Sequence, residues 1–261
     1  MPVPDHVIRF WRDLDACFGN VEPTWWGAVV TDERFPAIWD ANYARIDVAS
    51  DDLSASDIEH KLVPALATVG TQVMHVVSFD PEATGPLLAE LSTRGHLLTF
   101  DLVMDLEGPP ELVATDASIE ELPPSTALWD RVSESMTLFG VADEAAIGQL
   151  GEIERDVMAP SGKRWFGVRD NAGAIVSLGA MIVRDGVGYL DNVATFPEAR
   201  GRGLASAIAT RLAYEAGIAG ARHVFLLADP EAGHAARMYE RLGFRGVGRL
   251  AATRGALPAA P

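Results

Sequence analysis

The stretch LDNVATFPEARGRGLA, residues 190–205, decides how the rest of the chain is interpreted. A run of strand-forming residues passes into a glycine-rich turn, and the turn opens an alanine-rich helical segment. Such a turn points several backbone N–H groups in one direction, and its glycines let a ligand approach the backbone closely. The helix N-terminus adds partial positive charge, and Arg200 and Arg202 add full charges. The stretch predicts a pyrophosphate-binding turn, and the alternative is a solvated basic turn that only reverses the chain.

Two common phosphate-binding motifs do not occur in this stretch. A Walker loop requires Gly-Lys-Ser/Thr, and the Rossmann fingerprint requires Gly-x-Gly-x-x-Gly. The sequence therefore excludes a Walker loop and a Rossmann fingerprint at this turn.

The elements around the turn indicate a mixed sheet. We predict strands over residues 165–169, 175–183 and 187–195, and their connecting turns contain residues that tolerate positive φ, so the three should form an antiparallel meander. A helical segment over 126–158 precedes them. Helix, strand, helix and strand follow, over residues 203–218, 223–228, 234–242 and 244–251. This order predicts an α+β (α/β mixed sheet) fold.

Two motifs resemble the GCN5-related N-acetyltransferase (GNAT) superfamily. RGRGLA, residues 200–205, resembles its Arg/Gln-x-x-Gly-x-Gly/Ala signature, and Pro197 lies where the family often has proline. AARMYERLGF, residues 235–244, resembles the helix ending in Tyr-x-x-x-Gly-Phe that closes the acetyl-coenzyme A site of many members. Ala232 is a departure, because many members have asparagine there. The resemblance covers roughly residues 111–255.

The resemblance implies an acetyltransferase that moves acetyl from acetyl-CoA directly to an amine. It assigns Tyr239 as the acid that protonates the leaving thiolate, whereas a helical tyrosine facing a sheet is otherwise a packing residue. It also implies that the pantetheine arm pairs with free backbone groups of Val193 and Thr195. The predicted cofactor-binding residues are Val193, Ala194, Thr195, Arg200, Gly201, Arg202, Gly203, Leu204 and Ala205.

An acceptor ammonium must lose a proton before it attacks, and an acidic group on the cofactor strand is the expected base. Asp191 is the leading candidate, because strand alternation puts it on the same face as Tyr189 and Val193 if no bulge intervenes. Asp191 could instead only cap or pair at a strand end. Glu134, in the helical segment that usually walls the acceptor site, is a weaker candidate.

The chain also contains an internal repeat. HVVSFDPEA, residues 75–83, matches HVFLLADPEA, residues 223–232, and each is followed by a helical segment, a glycine and another strand. The segment 107–111, with paired prolines, is the natural junction. We therefore predict two GNAT-like halves, residues 1–110 and residues 111–261.

The first half lacks both cofactor features. Residues 51–59, DDLSASDIE, stand in place of the glycine turn and would repel phosphate, and Leu91 stands in place of Tyr239. The first half is therefore predicted to be a degenerate domain that no longer binds coenzyme A and could shape the acceptor site or the face of a homodimer.

Composition limits the possible partners. Acidic residues outnumber basic ones by 37 to 21, which argues against nucleic acid and anionic membranes, and the net charge is −12 in residues 1–110 but −4 in residues 111–261. We expect a cationic small-molecule amine as acceptor, attracted or oriented by the acidic half, and the alternative is that the acidic surface serves solubility alone. Cys17 is the only cysteine, so neither a disulfide nor a metal site is expected.

Other features of the composition bear on location and function class. No apolar run approaches the length of a membrane span, so we expect a cytoplasmic protein. Lys61 and Lys163 are the only lysines among many arginines, which suggests a bacterial source. A non-catalytic acetyl-CoA-binding protein and a structural GNAT-like protein remain the alternative functions.

Overall fold

The structure, a computed structural model, describes residues 2–48, 50, 52–231 and 233–258. The chain forms two compact units, one made of Met1–Val103 with Val247–Pro261 and the other of Met104–Gly246. None of the helices in the described ranges combines the length and the apolar character needed to cross a membrane.

The elements before the predicted junction are three α-helices and five β-strands among the described residues. In chain order they are α1 (Asp5–Asp15), β1 (Asn20–Pro23), β2 (Gly27–Thr31), β3 (Tyr43–Ile46), α2 (Ala55–Val69), β4 (Val73–Ser78), α3 (Gly85–Thr93) and β5 (Leu97–Leu106). β1 pairs antiparallel with β2, β2 pairs antiparallel with β3, and β3 pairs parallel with β4. This part of the chain therefore has a mixed sheet.

The second unit contains the elements that carry the predicted site. They are β6 (Glu120–Leu122), α4 (Thr126–Met136), α5 (Glu144–Ile153), β7 (Arg164–Arg169), β8 (Ile175–Arg184), β9 (Val187–Thr195), α6 (Leu204–Ile218), β10 (His223–Ala228) and α7 (Gly233–Arg241). The last strand, β11 (Phe244–Ala256), begins in this unit and continues in the first.

The sheet of the second unit has the order β10-β9-β8-β7-β6. β10 and β9 are parallel and the other neighbours are antiparallel, so the predicted meander of β7, β8 and β9 is confirmed. Its turns work as predicted, because Gly173, Asp185 and Gly186 take φ values of 86°, 44° and 74°.

The prediction of one helical segment over residues 126–158 is wrong. α4 ends in a short 3₁₀ turn that stops at Gly140, whose φ is +85°. A new helix, α5, starts after Asp143, whose side chain accepts a hydrogen bond from the N–H of Ala146. The segment then changes from α5 into a π-helical turn over Glu154–Met158. Glycine and an N-cap aspartate therefore divide a segment whose apolar pattern alone looked continuous.

The two halves repeat the same order of elements. The order β3-α2-β4-α3-β5 recurs as β9-α6-β10-α7-β11, and the first two strands are parallel in both copies. β11 pairs antiparallel with β4, from Ala251 opposite Ser78 to Ala256 opposite Val73. The final strand of the second repeat thus lies in the first compact unit. The division into halves at residue 110 stays a prediction about the repeats. The compact units differ from these halves because Val247–Pro261 belongs to the first unit.

Side chains of the second unit pack on both faces of its sheet. On one face α4 covers a core that includes Leu128, Trp165 and Phe196. On the other face Ile208 of α6 lies so close to Gly179 of β8 that a Cβ there would be 2.9 Å from its side chain. The middle strand β8 is therefore held between two packed layers, with Leu178 and Ala180 on one face and Gly179 on the other.

Candidate active site

The glycine turn before α6 is open and unsatisfied. Gly201 and Gly203 have φ values of +77° and +73°, a region that other residues enter at a cost, and no atom lies within 4 Å of a Cβ built on either. Among the described residues, the backbone N–H groups from Gly201 to Ser206 donate no hydrogen bond, and the first to do so is Ala207, to the carbonyl of Gly203. The turn therefore presents free donors at the positive end of a 15-residue helix.

Two arginines flank these donors, and both are exposed. Arg200 donates from Nε to the carbonyl of Thr195 at 3.2 Å, which fixes the side chain beside the end of β9. Arg202 forms no ion pair with any described residue and lines a cavity of about 450 Å³ together with Leu204 and residues 114–117. The turn thus has cationic groups that its own fold does not neutralise.

Beside the turn, the strands β9 and β10 diverge and stop pairing. Their parallel pairing runs from Val187 opposite His223 to Leu190 opposite Leu226, whereas β9 continues to Thr195. On its other edge β9 stays paired with β8 as far as Thr195. Val193, Ala194 and Thr195, three of the predicted cofactor-binding residues, therefore lie on the length of β9 that has left β10.

A β-bulge interrupts β9 at the same place. Asp191 lies opposite Ala180 and Ala194 opposite Leu178, so three steps along β9 correspond to two along β8. Asn192, inside the bulge, has a φ of +53°. The extra residue places Val193 against Gly179 on the α6 face, whereas Asp191 reaches Lys163. The prediction that Asp191 and Val193 share a face is therefore wrong.

The part of that prediction that concerned Tyr189 holds. The Tyr189 hydroxyl lies 3.4 Å from Oδ1 of Asp191, so the two side chains do share a face. Tyr189 is itself fixed by stacking on Phe225 of β10, with ring centroids 4.9 Å apart.

Tyr239 lies on α7, with its ring packed edge-on against Phe244 at 5.8 Å between centroids. Only 9% of the residue is exposed. Burial, and secondarily the negative charge of Asp191, raises the pKa of Tyr239 to about 12. Within the described part of the chain, its hydroxyl has no hydrogen-bond partner. Tyr239 therefore keeps its proton at neutral pH and is free to donate it.

Asp191 belongs to a cluster of three charged groups. Lys163, just before β7, places Nζ 2.6 Å from Oδ2 of Asp191 and 2.7 Å from Oε1 of Glu154. The side chains of Lys163 and Glu154 are 3% and 9% exposed, and that of Asp191 is 27% exposed. Asn192 supports both carboxylates, donating from its backbone N–H to Asp191 and from Nδ2 to Glu154.

Burial and the neighbouring charges act in opposite directions on the pKa values of Glu154 and Lys163. Burial raises the pKa of Glu154 and outweighs the attraction of Lys163. Burial alone would lower the pKa of Lys163, but the charges of Asp191 and then Glu154 outweigh it, so that pKa is raised and the ammonium persists.

Two members of the cluster were not predicted. Glu154 lies in the predicted helical segment, and nothing in the sequence distinguishes it from other acidic residues there. Lys163 could have been noticed, because it is one of two lysines in a chain whose other basic residues are arginines or histidines. The weaker candidate, Glu134, lies elsewhere. It is 57% exposed and accepts a hydrogen bond from Arg131, whose guanidinium also pairs with Glu198.

An apolar cavity of about 560 Å³ adjoins the cluster, because Lys163 is part of its wall. The remaining lining residues are mostly apolar, and they are Glu121, Leu122, Pro123, Pro124, Leu128, Trp129, Ala159, Gly162, Arg164 and Trp165. The charged members are already paired: Arg164 makes two hydrogen bonds to Glu121, at 2.8 and 2.7 Å.

The corresponding helix of the first half, α2, has a closed N-terminus. The Ser54 hydroxyl accepts from the N–H of Asp57, the Asp57 carboxylate accepts from the N–H of Ser54, and Glu90 accepts from the N–H of Ala55. Leu91, in the place of Tyr239, is fully buried in the core. Asp51, the first residue of the predicted phosphate-repelling stretch, lies outside the described residues.

Known proteins resemble the chain in sequence and in fold. Residues 166–251 match the model of the FR47-like protein family. A GCN5-related N-acetyltransferase from Kribbella flavida superposes with a TM-score of 0.58 at 16% identity, over 100% of this chain and 97% of that one. A tandem GNAT protein from the clavulanic acid biosynthesis pathway gives 0.55 at 14% identity, over 83% and 76%. The chain has a tandem GNAT fold.

This result confirms the predicted fold class and the resemblance to GNAT proteins. A GNAT-family protein from Novosphingobium aromaticivorans is 22% identical with a TM-score of 0.44, and the alignment covers 60% of this chain and 64% of that protein's length. A search of curated proteins finds no match.

Three observations show that the glycine turn before α6 fits a coenzyme A pyrophosphate. Its N–H groups are unsatisfied, its glycines leave open space where a side chain would stand, and Arg202 has no ion pair among the described residues. Ala232, where many GNAT proteins have asparagine, lies outside the described residues.

Proposed function

We propose that the chain is an acetyl-CoA-dependent N-acetyltransferase that acts on a small-molecule amine by direct transfer. The observation that carries the proposal is the open glycine turn of α6 beside the parting of β9 and β10. Asp191 follows Leu190, the last residue of β9 that pairs with β10, and its charge contributes to the raised pKa of Tyr239. A turn that served only to reverse the chain would need neither the free donors nor the parted strands.

In this proposal the turn residues from Arg200 to Ala205 hold the pyrophosphate. Their backbone N–H groups donate to its oxygens, and Arg200 and Arg202 add charge. The backbone of Val193, Ala194 and Thr195 holds the pantetheine arm along the free edge of β9. When bound, acetyl-CoA supplies an acetyl thioester whose sulfur is the leaving group.

Tyr239 is the proposed general acid. Its Oη–H bond is intact at neutral pH because its pKa is about 12, and its hydroxyl has no partner in the described part of the chain that would compete for the proton. A positioned acid of this kind contributes about 10²- to 10⁴-fold to a rate. Asp191 is the proposed proton acceptor for the amine.

We place the body of the acceptor in the apolar cavity beside Lys163. The cavity walls include Trp129 and Trp165, and the charges around it are paired internally. An amine on an apolar or aromatic body would bury that body there without leaving a charge unpaired. The cationic acceptor, its attraction to the acidic first half, the cytoplasmic location, the bacterial source and the homodimer stay predictions.

Release of free thiol from acetyl-CoA in the presence of pooled amines tests the proposal. We expect sustained turnover that requires both acetyl-CoA and an amine, with amines on apolar bodies accepted best. Coenzyme A binding without turnover would favour a non-catalytic acetyl-CoA-binding protein, and neither binding nor turnover would favour a structural GNAT-like protein.

A further inference from the structure

The charged cluster around Lys163 holds more negative charge than a structural ion pair needs. Lys163 and Asp191 alone would form a neutral pair at 2.6 Å. Glu154 adds a second carboxylate to the same ammonium, so the cluster carries a net charge of −1 when all three groups are ionised. Buried charges are tolerated when they are paired, and the third charge here is not compensated.

Glu154 also has an unsatisfied atom. Its Oε1 accepts from Lys163 and Asn192, but its buried Oε2 has no hydrogen-bond partner among the residues that the structure describes. An unpaired buried acceptor destabilises a fold. The residue begins the π-helical turn that follows α5, and such turns occur often at functional sites. A protonated Glu154 removes the excess charge of the cluster.

Among the described residues, no other charged side chain makes an ion pair or hydrogen bond with Glu154 or Asp191. Lys163, Asn192 and Tyr189 form hydrogen bonds with Glu154 or Asp191, and the charge of Asp191 acts on Tyr239. Arg155 and Asp156, next to Glu154 in the chain, pair with each other at the surface.

We infer that Glu154, Lys163 and Asp191 act as one proton acceptor, in which a single proton from the acceptor amine converts a cluster of net charge −1 into a neutral one. The inference rests on the proposed function and extends it to two further residues. An N–H bond of the ammonium breaks, an O–H bond forms on a carboxylate oxygen, and the electron pair stays on the nitrogen. Asp191 is the more exposed carboxylate and faces the substrate, and Glu154 stores the proton. Lys163 is a positioning residue that holds both.

The charge of the cluster can be changed in a way that separates this role from packing. Glu154→Gln leaves Lys163 and Asp191 as a neutral pair, which has little tendency to take up a proton. The double variant Glu154→Gln/Lys163→Met restores a net charge of −1 on Asp191 alone. We expect kcat for thiol release to fall about 10²- to 10⁴-fold in the single variant and to recover at least about tenfold in the double variant. A structural role would make the double variant worse.

Two controls isolate the cluster. Glu152→Gln removes an exposed carboxylate two residues earlier on α5, and Lys61→Met removes the only other lysine, which is 49% exposed. Both should keep wild-type kcat. Each variant is also assayed for coenzyme A affinity, which should change little in Glu154→Gln, and for thermal unfolding, which shows whether the variant is folded.

The outcomes separate the two proposals. If wild type releases no thiol, both proposals fail. If wild type turns over and Glu154→Gln keeps its kcat, or if the folded double variant does not recover, only the proton acceptor is overturned. If the double variant does not fold, the pH profile of Glu154→Gln decides: the inference requires the acidic limb of kcat to move, and an unmoved limb overturns it.

Discussion

Replacing Gly203 by alanine should separate the cost to the fold from the cost to the ligand. Gly203 caps α6 with a φ of +73°, and no atom lies within 4 Å of an added Cβ. Alanine therefore meets no clash in the free protein, and the expected loss of stability is only the left-handed strain of about 1–2 kcal/mol. For a chain of this size that corresponds to a fall in Tm of about 2–8 °C.

The effect on coenzyme A should be larger. The added methyl would stand in the open space beside the free N–H groups, where the pyrophosphate is proposed to bind. The loss of one charge-assisted hydrogen bond costs about 1.5–3 kcal/mol, which weakens coenzyme A binding by about 10- to 150-fold in Kd. Titration calorimetry with coenzyme A measures this change directly.

Gly220 provides the matched control, since it follows the same helix at its other end. Its φ is +92° and no atom lies within 4 Å of an added Cβ. Gly220→Ala should lose similar stability and keep wild-type affinity. Equal affinity in Gly203→Ala and wild type, or an equal loss in both variants, would refute the assignment of the turn.

Three further predictions concern single groups. Tyr239→Phe should lower kcat about 10²- to 10⁴-fold and leave the Kd of coenzyme A within a few-fold, and the pH profile of wild-type kcat should show no fall from tyrosine ionisation below about pH 10. If the chemical step limits the rate and turnover is unchanged, Tyr239 is a packing residue. Arg202→Gln should weaken coenzyme A binding and reduce its salt dependence without changing Tm, because Arg202 has no ion pair among the described residues. The control Arg169→Gln, which breaks a surface ion pair with Glu120, should leave coenzyme A binding unchanged. Because the pKa of Glu154 is raised in the folded state, its stability contribution is present at low pH and is lost as pH rises from about 4.3 through the folded pKa. The Tm of Glu154→Gln should therefore exceed that of wild type by an amount that grows over this pH range, and a constant difference would contradict the raised pKa.

The sequence predicts those elements whose boundaries are written in local residue chemistry. The meander of β7, β8 and β9 follows from turns that end in Gly173 and Gly186, and the start of α6 follows from Gly203. The repeat was visible because strand, helix and strand recur with the same spacing.

Features that depend on pairing could not be predicted in this way. The bulge at Asn192 is defined by the register of β9 against β8, which alternation along one strand does not contain. The pairing of β11 with β4 joins residues far apart in the chain. The contact of Glu154 with Lys163 depends on the π-helical turn after α5, and a continuous helix would have placed this side chain differently.

The central claim is that the chain binds coenzyme A at one place, the turn from Arg200 to Ala205. The contrast between the two halves supports it: side-chain acceptors occupy the N–H groups at the start of α2, whereas those at the start of α6 are free. The most direct measurement is the stoichiometry of coenzyme A binding to the full chain by titration calorimetry. The account predicts one site per chain, and two sites or none would contradict it.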